Sequence, residues 1–191
     1  MNRLAAAGAA ALGAALLTPP GTATAAANSA VSSIPANPTT LIEMHVTADC
    51  VGTVCTFNTA ANLAAPGGPP LGFPGEAWSR QTITLRSNDR DVWQEADYSA
   101  PTGTPRAGKG ANHDNVLSKE YKSLRDVEIS VTTFGGGPVE RYRVDGTSAP
   151  TKWTTGEPAL DATFIVCSHI QVVYNGVNLT TPDACAQTTF G

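Results

Sequence analysis

Leu160-Asp161-Ala162-Thr163-Phe164-Ile165-Val166-Cys167-Ser168-His169-Ile170-Gln171-Val172-Val173-Tyr174-Asn175-Gly176-Val177 is the stretch that decides the fold. Leu160 to Tyr174 is apolar on both alternating faces around Phe164-Ile165-Val166, the composition of a central strand covered on both sides. Tyr174-Asn175-Gly176-Val177 then sets Asn-Gly between two apolar runs. That is a strong hairpin signal, because a type I′ turn needs positive φ at both central residues. The chain therefore returns along Val177–Thr181. If Tyr174 pairs with Val177, Cys167 faces position 184, one residue short of Cys185, and Pro182 marks where the ladder slips. The two cysteines come within disulfide reach on adjacent strands.

A second hairpin is legible near the other end. Ile42, Met44 and Val46 share one face of a strand, with Glu43, His45 and Thr47 on the other, and Thr53 to Asn58 returns beside it. Cys50 and Cys55 flank Val51-Gly52-Thr53-Val54, a loop at the tip. Four cysteines allow three pairings. Opposed strand positions favour Cys50–Cys55 and Cys167–Cys185. The C-x4-C spacing is not that of a redox C-x-x-C pair, and no His/Cys cluster accompanies it as a zinc site requires.

Trp78 to Arg86 alternates as a strand, and so, more clearly, does Val127 to Thr132. Arg90 to Tyr98 is ambiguous: Val92, Gln94, Ala96 and Tyr98 alternate weakly, yet Val92 and Ala96 also fit a helix with Asp89 and Asp91 in its first turn, and strand is the favoured reading. Gly135-Gly136-Gly137 turns the chain into Val139–Asp145, Asp145-Gly146 turns it again, and Thr151–Thr155 forms a short strand around Trp153. One short helix is expected: Asp114 or Asn115 caps it, and Leu117, Tyr121 and Leu124 recur on one face. Residues 28–38, small and proline-marked, read as a flexible leader. Residues 60–77 and 99–115 are rich in Pro and Gly. The first is long enough to be a flexible excursion or a functional flap. The expectation is an all-β domain over residues 39–191, an antiparallel β-sandwich or small β-barrel of about eight strands with one short helix.

Residues 1–27 read as a signal peptide. Arg3 supplies the positive start, Leu4 to Leu17 the apolar run, and Thr22 to Ala27 the small-residue cleavage region. The apolar run is short for a bilayer crossing of about 20 residues. Without residues 1–27 only Arg3 is lost, so 11 basic residues face 16 acidic ones and the charge becomes −5. The basic residues then all lie between Arg80 and Lys152. Arg106 to Arg125, with five basic and two acidic residues, is the one candidate anion-facing segment. A net charge of −4 for the whole chain gives no reason to expect nucleic acid.

The catalytic motif search is negative. No nucleophile elbow, metal-binding helix, phosphate loop or dinucleotide fingerprint is present, and no cofactor is expected. Gly108-Lys109-Gly110 lacks the strand and glycine spacing of a phosphate loop. Ser168 adjoins His169, but neighbours on a strand point to opposite faces. His45 lies on a polar strand face. His113 beside Asp114 is the remaining acid–base candidate, in a loop that must dock over a pocket to act. Asn88-Asp89-Arg90-Asp91 with Glu95 offers oxygens for calcium, but lacks the glycine of a calcium loop, so a polar turn is the simpler reading. Trp78, Trp93 and Tyr98, beside strands, with Arg106, Lys109 and His113 in the second loop, form the candidate ligand-binding set.

Ala48-Asp49-Cys50-Val51-Gly52-Thr53-Val54-Cys55-Thr56, after an Ala-rich leader, resembles the paired-cysteine opening of uncharacterised exported actinobacterial disulfide-containing β-proteins. A late cysteine pair recurs in them. The resemblance implies export and a cell-envelope setting, and it carries over no catalytic residues. The expected function is a secreted or cell-wall-associated binding module for a glycan, lipid or protein of the envelope. The alternative is a small secreted hydrolase using His113 and Asp114. Alkylation of the unreduced protein should add no label to its intact mass, and four labels after reduction; labelling without reduction would refute the disulfide reading.

Overall fold

The computed structural model describes residues 28–104 and 112–190. The expected signal peptide, together with Arg106 and Lys109, lies outside the described residues. β12 (Thr163–Tyr174) is the longest apolar run and carries partners on both edges. β4 (Trp78–Arg86) pairs along one edge. β13 (Val177–Thr180) and then β14 (Ala184–Thr189) share the other. Asn175 and Gly176 sit at φ 46° and 77°, the positive values the type I′ turn requires.

The slip falls at Pro182. Gln171 pairs with Thr180, but Cys167 pairs with Cys185 and Ser168 with Ala184, so three residues (181–183) oppose two on β12. Ile170 absorbs the bulge: its carbonyl accepts from Thr181 N–H at 3.0 Å and its N–H donates to Thr181 Oγ1 at 3.1 Å. Pro182 brings no N–H that needs a partner there. Cys167 and Cys185, directly opposed, form a disulfide.

The sheet continues from β4 to β9 (Val127–Phe134), β8 (Val116–Lys122) and β7 (Asn112–His113), making seven strands with β12, β13 and β14. The second sheet runs β1 (Ser29–Asn37), β2 (Thr40–Val51), β3 (Val54–Ala64), β10 (Arg143–Ser148), β6 (Asp97–Ser99). A two-stranded sheet joins β5 (Val92–Trp93) to β11 (Thr151–Lys152). All pairings are antiparallel, and no ladder among the described residues joins the two large sheets, so the fold is a β-sandwich and not a closed barrel. Ile42, Met44, Val46 and Phe57 of one sheet and Ile83, Ile129, Phe164 and Val166 of the other are all at most 3% exposed and fill the interface. Within this layer Gln81 Nε2 donates to Thr59 Oγ1 at 2.7 Å, a buried polar link between the sheets. Cys50 and Cys55 face each other on β2 and β3 and are bonded. The loop between them tightens to the pair Gly52-Thr53, with Gly52 at φ 65° and Val51 already paired with Val54.

Several expectations are corrected. The leader is strand β1: Ala30, Ser32, Ile34 and Ala36 alternate inward, but these residues are small and the apolar signal is faint. The helix is strand β8. Leu117 and Tyr121, four apart, share a face in a strand as well as in a helix, and Asp114 and Asn115 (φ 43° and 62°) form a type I′ turn, not a cap. The only helical element among the described residues is a 3-10 turn at Val139–Tyr142. Asp145-Gly146 lies inside β10, where Gly146 faces the Phe57 ring. No helix of the described residues is long and apolar enough to cross a membrane.

The segment expected as an excursion or flap is pinned. Residues 60–64 extend β3, Leu63 and Leu71 exchange backbone bonds of 2.8 Å, and Phe73 is buried edge-on against Tyr142 at 4.6 Å. Gly136 and Gly137 donate to the carbonyls of Gly75 and Phe73 at 3.0 and 2.9 Å. A Cβ on Gly136 would meet the Pro74 oxygen at 1.7 Å, so glycine is required for this approach. Burial pushes the Tyr142 phenol up to about 12. The protonated phenol is thus favoured by folding, and its contribution, about 2–3 kcal/mol, is complete below pH 10 and lost as pH rises to 12.

Two measurements check this clasp. In urea unfolding, Gly136→Ala should cost about 2–3 kcal/mol, whereas Gly75→Ala, with nothing within 4 Å of its Cβ, should change stability by less than about 0.5 kcal/mol. Stability measured from pH 9 to 12 should decline more steeply in the native chain than in Tyr142→Phe; parallel curves would remove Tyr142 as the cause.

Candidate functional site

Alternation that sends Ser79, Gln81 and Ile83 inward on β4 sends Trp78, Arg80 and Thr82 outward. The ladders then set outward residues side by side. Trp78 lies opposite Phe134, Arg80 opposite Thr132, and Thr82 opposite Ser130. On the far side of β9, Thr132 faces Leu117, Ser130 faces Lys119, and Glu128 faces Tyr121. These ten side chains line a depression of about 380 Å³ on the outer face of the seven-stranded sheet. Its floor is hydroxylic, from Thr82, Ser130 and Thr132. Phe134 (48% exposed) closes one end with Trp78, and Tyr121 (52% exposed) stands at the other.

The charges are placed unevenly. The Arg80 guanidinium lies over the Trp78 ring, 5.4 Å from its centroid, a cation–π contact that limits its freedom. Lys122, just beyond the depression, is paired with Glu95 and Glu120 at 3.6 and 3.5 Å. Among the described residues no carboxylate pairs with Arg80 or Lys119. Glu128 is the one acid in the lining.

Of the members of the candidate ligand-binding set that lie among the described residues (Trp78, Trp93, Tyr98 and His113), only Trp78 lines this depression. Trp93 is half-buried on β5, its ring 5.8 Å from that of Trp153, beside the small core of Val92, Ala159 and Ala162. Tyr98 is 1% exposed and belongs to the sandwich core, where burial raises its phenol pKa; it offers no surface to a solute. His113 is partly buried on β7, and its Nε2 is enclosed without a hydrogen-bond partner among the described residues. Asp114 is an exposed turn residue whose carbonyl accepts from Arg141 at 2.8 Å. No hydroxyl among the described residues is hydrogen-bonded to either. The other two histidines each hold a carboxylate: His45 with Glu43 at 3.1 Å, His169 with Asp183 at 2.7 Å. Asp89 spends Oδ1 on the Asp91 N–H at 2.9 Å, as in a polar turn. No group of three or more His, Cys, Asp or Glu side chains among the described residues is placed to hold a metal ion.

Sequence reasoning missed Arg80, Lys119, Ser130, Thr132 and Phe134 as neighbours. The outward set of β4 and β9 follows from their alternation, but Lys119 could not be aligned with them while its segment was read as a helix.

No family model matches the chain, and no curated protein matches it. Among solved structures, the membrane-inserted form of the NetB toxin of Clostridium perfringens aligns at 9% identity over 84% of this chain and 91% of that one. Its TM-score is 0.20, a likeness that carries no argument about fold or function.

Proposed function

We propose that the chain is an exported binding module that holds a glycan of the cell envelope on the outer face of its seven-stranded sheet. The observation that carries this reading is the depression itself: a hydroxylic floor of Thr82, Ser130 and Thr132 between aromatic side chains at both ends. Sugar rings offer apolar C–H faces to aromatic rings and hydroxyls to a polar floor, so both halves of the lining have a use. A lipid tail would need an enclosed apolar cavity, and the sandwich interior is filled by its own side chains. Export is supported by the character of residues 1–27 and by two disulfides, which persist in oxidising surroundings. The hydrolase alternative rests on His113 and Asp114, which are not among the residues lining this depression and have no bonded nucleophile among the described residues.

Affinity electrophoresis in gels containing soluble polysaccharides tests the reading. At least one polysaccharide should retard the protein, and Trp78→Ala combined with Phe134→Ala should weaken that retardation about tenfold, as loss of two stacking groups implies. Trp153→Ala, at an exposed ring outside the depression, should leave it unchanged. No retardation by any polysaccharide, or equal retardation of the double variant, would overturn it.

A further inference from the structure

We infer that the glycan held on this face is acidic, its carboxylate seated over β9 between Arg80 and Lys119. The inference rests on the glycan-binding reading above and adds the charge of the ligand. Arg80 and Lys119 rise from β4 and β8, the two strands that flank β9. At the usual strand spacing those strands are about 10 Å apart, a width that two long cationic side chains can close around one anionic group. Between them lie the hydroxyls of Ser130 and Thr132, each directly opposite one of the two cations in the ladder.

Arg86, Arg90, Arg125 and Arg143 also have no carboxylate partner among the described residues, so what marks Arg80 and Lys119 is that both line one depression. Lys122 is committed to Glu95 and Glu120, Lys152 to Asp161 at 3.0 Å, and Arg141 to the carbonyls of Asp114 and Phe134. Arg80 and Lys119 line the depression with no carboxylate partner among the described residues. Arg80 is also held by the Trp78 ring, so less side-chain freedom is lost when its planar fork meets a carboxylate. Lys119 comes from the Arg106–Arg125 segment, where basic residues exceed acidic ones. Residues 28–191 carry −5 in all, with 11 basic against 16 acidic side chains. An acidic polymer is thus repelled by most of this surface and attracted where cations outnumber acids two to one, as Arg80 and Lys119 do Glu128.

The test compares a matched pair, polygalacturonate and its fully methyl-esterified form, which share one backbone and differ in charge. Polyglutamate serves as a polyanion without sugar. Binding is measured by affinity electrophoresis and by titration at low and physiological salt. Polygalacturonate should bind at least tenfold more tightly than the ester, with the preference shrinking as salt rises. Arg80→Gln with Lys119→Gln should bring the acid-to-ester ratio close to one, and Glu128→Gln should raise it a few-fold. Thermal melting confirms that these surface variants are folded. Equal or tighter binding of the ester overturns the acidic-ligand inference and leaves the glycan-binding reading standing. Polyglutamate binding as well as polygalacturonate overturns it too, since bare charge then suffices. Binding of neither polysaccharide overturns the inference; retardation by no other polysaccharide either overturns the reading beneath it.

Discussion

The register of β12 is the constraint on which the rest of the sandwich depends. A strand paired on both edges decides which residues of its neighbours point inward, since a shift of one residue exchanges the two faces. β4 reads that register along nine consecutive pairs, from Ile165 opposite Arg86 to Val173 opposite Trp78. It passes the phase to β9 and then to β8. On the other edge one slip at Pro182 lets the hairpin turn at Asn175-Gly176 and the disulfide at Cys167–Cys185 coexist. Without the bulge, Cys167 would face Ala184 and Cys185 would face Val166.

The candidate site is the outward half of the same register. Ile83 and Ile129 are buried together in the sandwich, while Thr82 and Ser130, their chain neighbours, stand together outside. An antiparallel sheet commonly leaves one face in water, and hydroxyl, Lys and Arg residues there are ordinary. The exposed Phe134 and Tyr121 are what a solvated face does not require, and Arg80 and Lys119 flank β9 on either side with no carboxylate partner among the described residues. The proposed glycan uses each of these features, and the proposed acidity of that glycan uses the cations.

Legibility followed signal strength. β4 was readable from Trp78 to Arg86 because large and polar residues alternate there without interruption. The Cys167–Cys185 pair was readable because the turn's register brings the two cysteines to within one residue of each other, and Pro182 marks a place for the slip. β1 was not readable, because Ala and Ser contribute little apolar contrast even where they alternate correctly. β8 was misread, since Leu117 and Tyr121 satisfy two periods at once and only pairing with β9 separates them. The segment expected as a flap was misjudged for a different reason. Its Pro and Gly content reads as freedom, yet Gly72 and Gly136 are there to let two backbones touch.

The sequence alone determined the β class, the strands with strong alternation and the negative charge, and it favoured the two disulfides over the other pairings, because each depends on residues close in the chain or on simple counts. The tertiary structure alone decided sandwich over barrel, the pinning of residues 65–77 by the Gly135–Gly137 turn, and the assembly of Trp78, Arg80, Lys119, Ser130, Thr132 and Phe134 on one face. β8 and β9 follow one another in the chain, but β4 lies tens of positions upstream, and no local preference encodes its adjacency to them. Long-range pairing of β4, β9 and β8 brings them together, and that pairing is stabilised by the inward side chains, which the outward ones never touch.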